Sequence, residues 1–324
     1  MIRVIGANPA MDRVSVWPPI RLGEVNRARS VSVLPGGKGF NVARAAVRLG
    51  AKTTAHGFLG GRVGEALRPL IVADGVIDRH ITIAAGTRVC FIVVEPEHER
   101  STVLNEPGPT VSAAEVEQFL EALRDDYRPD DLVLLSGSLP DSVEPAVAGE
   151  IIAVGNASGA RTMCDIHGAS LRAAFRQRPW MVKCNRDELL GLIEDGEPDE
   201  ATVRRHRGLP LSELAVEMSM LRERGPEIVV VTLGAEGALL ADAAGVVHAN
   251  VPQVEVVNAT GSGDLLLAGL AVGIDSGDQP RDALILGAAC GTAGITHLPP
   301  ELPPDFDPDH WIAHISVEAL EPEQ

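Results

Sequence analysis

Short runs of β-branched and aliphatic residues alternate along the chain with stretches whose apolar positions recur at helical spacing. That order predicts an α/β fold in which a central, mostly parallel sheet is covered by helices on both faces. The runs Ile2–Ile5, 132–135 and 228–231 carry apolar residues without strict alternation, as strands buried on both faces do. Ser112-Ala-Ala-Glu115 is a capping box. Behind it Val116, Phe119, Leu120 and Leu123 keep the i, i+3, i+4, i+7 spacing of a helix with one buried face.

The pattern changes in two places. Arg13-Val-Ser-Val-Trp17, Arg29-Ser-Val-Ser-Val33 and Arg88-Val-Cys-Phe-Ile-Val-Val94 read as half-buried strands. They predict a small β-sheet inserted into the α/β body at about 12–35 and 87–104, serving as a lid over a site or as a surface for a second copy. The uncharged stretch 283–300 contains Gly287, Gly291, Gly294, Thr292, Thr296, His297 and a proline pair. A buried helix followed by a turn is expected there rather than a membrane span. From Leu298 to Pro308 the prolines forbid a helix, and an extended surface connection before a short terminal helix is expected. Residues 1–324 are expected to form a single domain.

Composition narrows the partners. With 324 residues, 45% of them apolar and 23% charged, the chain has the makeup of a globular protein and not of a disordered one. Its 28 basic and 45 acidic side chains leave a net charge of −17, a field that repels polyanions and argues against nucleic acid or an anionic membrane as partner. Any phosphate bound here must meet a local basic patch. Cys90, Cys164, Cys184 and Cys290 are far apart and form no C-x-x-C pair, so four buried thiols and a cytoplasmic location are expected. No targeting segment is read, because Arg3 and Asp12 interrupt the first apolar stretch.

Two glycine-rich turns carry the candidate chemistry. In Val257-Asn-Ala-Thr-Gly-Ser-Gly-Asp264 the turn leads straight into an apolar helix. Gly261, Ser262 and Gly263 would present main-chain N–H groups at a helix N-terminus, where an anion is attracted. Asp264 reads either as a first-turn acid that complements the helix dipole or as a base beside that anion hole. No P-loop and no dinucleotide-type G-x-G-x-x-G is present at this place. In Pro35-Gly-Gly-Lys-Gly-Phe-Asn41 glycines again precede a helix, whose Val42, Ala46 and Leu49 form its buried stripe. Gly36, Gly37 and Gly39 allow close approach to a sugar, and Asn41 can donate to and accept from a hydroxyl. A tight turn with Lys38 in solvent is the plain alternative.

These two segments resemble the paired signatures of the ribokinase-like (PfkB) carbohydrate kinases, G-G-x-x-x-N and D-T-x-G-A-G-D. Asn8-Pro-Ala-Met-Asp12, Gly23-Glu-Val-Asn-Arg27, Gly57-Phe-Leu-Gly-Gly61, Thr87-Arg88, Ser136-Gly-Ser-Leu-Pro140, Lys183-Cys-Asn-Arg-Asp-Glu188 and Leu233-Gly-Ala-Glu-Gly237 follow in the family's order. The wording is similar to the branch that contains 1-phosphofructokinase and tagatose-6-phosphate kinase. The resemblance implies a ribokinase-like fold and an ATP- and Mg²⁺-dependent kinase acting on a hydroxyl of a hexose monophosphate, with fructose 1-phosphate or tagatose 6-phosphate leading. It implies that Asp264 is the catalytic base and that Gly261, Ser262 and Gly263 form the anion hole. Asp12, Gly36, Gly37 and Asn41 would hold the sugar, with Lys38 and Arg88, and Arg27 as a further candidate, on its phosphate. Lys183, Asn185, Thr232, Gly234 and Gly237 would serve the nucleotide, and Glu188 would position magnesium through water. Asn185 and Glu188 are also a capping box in their own right.

Some positions depart from that pattern. Asn258 and Ala259 stand where the family has Asp-Thr, Ser262 replaces Ala, and Cys184 replaces the Pro of K-P-N, which is expected to cost rigidity. Glu24 stands where some phosphofructokinase relatives carry a Lys for the sugar phosphate, which sets fructose 6-phosphate apart from the leading substrates. Two other readings stay open. One is a kinase of an unphosphorylated sugar or nucleoside, and the other a sugar-phosphate sensor without turnover. A homodimer through the small sheet is expected from its half-apolar strands.

Overall fold

The computed structural model of the chain describes residues 1–98, 100–298 and 301–320. Seven parallel strands form one side of a ten-stranded sheet. Reading across it, Ile77–Asp78 is followed by Thr53–His56, Ile2–Ile5, Leu132–Ser136, Arg161–Asp165, Met181–Asn185 and Ile228–Thr232. Ala238–Asp242, Gly245–Asn250 and Ser316–Leu320 continue it as antiparallel strands. The expected strands lie at its centre. Alternate side chains of each central strand enter cores on opposite faces. Val133, Leu135, Val229 and Val231 join one, and Leu132, Leu134, Ile228 and Val230 the other. Burial on both faces is why these runs lack the apolar/polar alternation of a half-exposed strand.

The capping box at Ser112 is closed in both directions and opens the helix Ala113–Asp126, whose Phe119, Leu120 and Leu123 are buried. The stretch before residue 298 is the helix Pro280–Gly294, almost wholly buried against Ser262–Ser276. Glycine permits that contact. A Cβ on Gly287 would stand 2.8 Å from the Leu266 carbonyl oxygen, and one on Gly269 2.8 Å from that of Leu286. All four cysteines are free and buried. Among the described residues no helix is long and apolar enough to cross a membrane.

The inserted sheet is present and has four strands, in the order Ser30–Gly36, Ala10–Val16, Arg88–Glu95, Arg100–Asn105. Val14, Leu34, Ile92 and Val94 form its small inner cluster, and Leu298 from the body packs against it. Its other face exposes Val31 and Val33 on one edge strand and Phe91 and Leu104 on the pair at the other side, with the exposed Arg13 between Val33 and Phe91.

Two expectations need correction. The connection after Leu298 is extended, but it is more than a surface strap. Leu302 is 1% exposed and belongs to the core, while Arg48 donates to its carbonyl and Arg44 pairs with Glu301. Pro299 and Pro300 lie outside the described residues. The short terminal helix, Pro308–Ile312, is followed by an unexpected strand, Ser316–Leu320, which extends the main sheet. Its side chains are half-exposed or exposed, so it lacks the apolar run that reveals a central strand.

Candidate active site

The parallel strands end along one edge of the sheet, the usual place for a ligand in an open α/β fold. Two helices begin at that edge, and both start on glycine. Gly37, at φ 91°, caps Lys38–Arg48 without a side-chain bond, so the first amides of that helix stay open. Gly261, in the left-handed region at φ 84°, does the same for Ser262–Ser276. Among the described residues no main-chain acceptor meets the Gly261 or Gly263 N–H, whereas the Ser262 N–H reaches the Ala259 carbonyl at 3.5 Å. Asn258 Oδ1 accepts from the Thr260 N–H at 3.1 Å and shapes the turn from inside.

Asp264 lies one residue past those amides and is 3% exposed. Asn41, from the other helix, donates to its carboxylate at 2.9 Å. Burial and then the Asp165 charge raise the Asp264 carboxyl to about 6, against Lys38, the Asn41 bond and Lys183. Asp12, on the lid strand Ala10–Val16, lies over Gly36, where a Cβ would come within 1.9 Å of its Cγ. Burial raises its carboxyl to about 6 as well, opposed by Arg88, the Gly37 amide and Arg44.

Asp165 was not singled out in the sequence. It is 1% exposed at the end of Arg161–Asp165, with Lys183 Nζ 3.0 Å and Lys38 Nζ 3.6 Å from its oxygens. Burial works against its charge, and the two lysines hold it below the usual carboxylate range. The only signal for it was an acid closing the run Thr162-Met-Cys164. Asn8, Ser136 and Ser138 likewise belonged to segments noticed for their likeness without a role being read.

The cleft between lid and sheet edge has a volume of about 380 Å³ and brings together Asp12, Gly37, Lys38, Asn41, Arg88, Lys183, Asn185, Glu188, Thr232, Gly261, Gly263 and Asp264. At Thr232 and Gly263 it meets a second cavity of about 380 Å³ that also takes in Gly234, Gly237 and Ser262. The walls there are largely apolar, Val251, Val254, Leu266 and Ile295 among them, as suits a flat base. A smaller recess of about 120 Å³ opens at Gly36, Gly37, Lys38 and Arg88. Asn8 Oδ1, Ser136 Oγ and Arg88 Nε are buried around it with no hydrogen-bond partner among the described residues. The outer nitrogens of Arg88 donate to the Asn8 carbonyl at 3.0 Å and the Glu106 carbonyl at 3.4 Å, and no carboxylate pairs with it among the described residues.

Every site residue expected on the family pattern thus lines one of three adjoining cavities, except Arg27. That side chain is exposed and lines none of them. Asn185 and Glu188 do close a capping box, each bond 2.9 Å, at the start of Arg186–Ile193. Only one Glu188 oxygen is used by that box. Among the described residues no group of three or more metal-ligating side chains gathers. Magnesium keeps most of its water and takes one or two carboxylates beside phosphate oxygens, so Glu188 fits it. Cys184 is fully buried in a strand paired with Ile228–Thr232.

A buried carboxylate beside open helix-terminal amides and two lysines, reached from one side by a polar recess and from the other by an apolar pocket, defines a phosphotransferase of the α/β class. Comparison with known proteins is specific. The model of the pfkB family carbohydrate kinases matches residues 2–301, and the chain belongs to that family. It is 30% identical to 1-phosphofructokinase of Bacillus subtilis over 90% of this chain and 92% of that one. It is also 30% identical to tagatose-6-phosphate kinase of Staphylococcus epidermidis over 85% of each. The solved phosphofructokinase-2 of Escherichia coli in complex with fructose-6-phosphate superposes with a TM-score of 0.83 at 25% identity, covering 96% of this chain and 98% of that one. The ribokinase of Thermotoga maritima shares the fold, with a TM-score of 0.73 at 21% identity over 97% of this chain and 99% of that one. The fold is ribokinase-like, and the enzyme is a kinase that transfers phosphate from ATP, with Mg²⁺, to an alcohol.

Proposed function

We propose that the chain is a hexose-monophosphate kinase of the 1-phosphofructokinase and tagatose-6-phosphate kinase type, acting as one catalytic domain over 1–324. The observation that carries this reading is Asp264, buried, held by Asn41 and facing open amides in a cleft that adjoins a recess at Lys38 and Arg88 on one side and a largely apolar pocket at Thr232 and Gly263 on the other. The acceptor's own phosphate lies at Lys38 and Arg88, and its ring rests on Gly36 and Gly37 with hydroxyls on Asp12 and Asn41. Asp264 takes the proton of the attacking hydroxyl. Gly261, Ser262 and Gly263 hold the charge that spreads over the transferring group. Lys183, Asn185, Thr232, Gly234 and Gly237 bind the nucleotide. Glu188 would hold magnesium through water, and the ion would supply charge neutralisation at the phosphates. The lid excludes water while the ligands are together.

Fructose 1-phosphate and tagatose 6-phosphate are the favoured acceptors. Where some phosphofructokinases have a lysine, this chain has Glu24, which is exposed and paired with Arg21 at 3.4 Å. ADP release across fructose 1-phosphate, tagatose 6-phosphate, fructose 6-phosphate, the free sugars and nucleosides tests the assignment. Turnover restricted to one or more hexose monophosphates is expected. Preference for a free sugar or nucleoside overturns the phosphate subsite, and no product with any acceptor favours a sensor. The protein acts in the cytoplasm, and the exposed apolar face of the lid receives a second copy.

A further inference from the structure

Asp165 has lysine nitrogens within 4 Å of it from two elements of the cleft. Lys38 opens the helix that carries Asn41 and borders the small recess, and its Nζ is 3.6 Å from Oδ1. Lys183 comes from the next strand, and its Nζ is 3.0 Å from Oδ2. The same Nζ lies 3.1 Å from where a Cβ on Gly263 would stand, against the first turn of the Asp264 helix. One lysine therefore borders the acceptor side and the other the donor side. Both are long and flexible, and a buried charge is tolerated only when paired.

We propose that Asp165 is a positioning residue for phosphoryl transfer, holding the Lys38 and Lys183 ammonium groups one on each oxygen so that the acceptor-side and donor-side charges keep a fixed separation. Without that anchor each lysine follows its own phosphate, and the two ligands lose their common frame. Misplacement on this scale costs transfer about 10²-fold. Asp165 also acts on the base. Asp264 is faced by Asp165, Lys38, Lys183 and Asn41, with Asp12, Arg88 and Glu188 farther round the cleft. Of the groups acting on it, Asp165 is the one whose charge opposes its ionisation. The Asp12 carboxyl is raised by burial and opposed by Arg88, the Gly37 amide and Arg44.

The inference rests on the kinase reading and is tested with Asp165→Asn, and with Asp165→Ser as a second neutral variant should the amide fail to fold. The expected result is a rise in KM for both the sugar phosphate and ATP and a fall in kcat/KM of about 10²-fold. Asp12 and Asp264 share the wild-type acid limb near 6; in the variant Asp264 ionises at lower pH, so the limb falls less steeply, as one proton rather than two, which a merely structural role does not produce. An unchanged steepness, or an unchanged KM for either ligand, overturns the proposal. ADP affinity by calorimetry weakens in both variants whatever the acceptor. Unaltered ADP affinity overturns the proposal even if the hexose-monophosphate assignment has failed on the wild-type panel.

Discussion

At the scale of single residues the chemistry turns on a carboxylate made uncomfortable by its surroundings. Asp264 is kept from water and next to a like charge, so its carboxyl is raised to about 6. Ionised, it is a stronger base than a surface aspartate. Asp264→Asn is expected to retain sugar-phosphate binding and to lose turnover by at least roughly 10²-fold. Near wild-type turnover would remove the residue from the mechanism. The sign of the stability change follows. A carboxyl with a raised folded-state pKa binds its proton more readily folded than unfolded, so stability is gained as pH falls from about 6 toward 4. Removing the charge should therefore raise the Tm of Asp264→Asn at pH 8, and a lowered Tm would contradict this. Gly36→Ala tests the sugar side, because its Cβ would occupy the place of Asp12 Cγ. We expect at least a tenfold rise, about 1.4 kcal/mol, in the sugar-phosphate KM with the ATP KM unchanged. Asp264 was legible because a glycine turn isolates it beside a helix start. Asp165 was not, since an acid closing an apolar strand looks the same whether it binds or merely ends the strand.

At the scale of elements the site depends on how two helix starts are held. The central strands and the capped helix were legible because double-sided burial and capping each leave a local pattern. The strap after Leu298 was misread because its burial comes from partners far away in sequence, and proline and acid look polar on the page. Leu302 lies in the core beneath that strap, and Arg44 and Arg48 of the Lys38 helix grip it. Leu302→Ala should cost about 2–5 kcal/mol in urea unfolding, and a loss below about 1 kcal/mol would return the strap to the surface role first read for it.

For the whole molecule, net charge and the lid set behaviour. With Asp12 and Asp264 both raised to about 6, kcat/KM should be flat above pH 7 and fall as pH drops through about 6. An activity profile level down to pH 5 would refute the two environments described. The exposed Val31, Val33, Phe91 and Leu104 form an apolar face that a second copy would cover. Light scattering should give a dimer, and Phe91→Asp should convert it to a monomer. A wild-type monomer would overturn this assembly. The glycine contact between Ser262–Ser276 and Pro280–Gly294 carries a last consequence. The crossing acts as a shim with no thickness to spare, so even one methyl at Gly287 would tip the neighbouring rod and swing its amide tip away from the incoming phosphorus. Damage to catalysis can thus originate at a glycine that carries no reacting group, in the greasy seam behind the pocket wall.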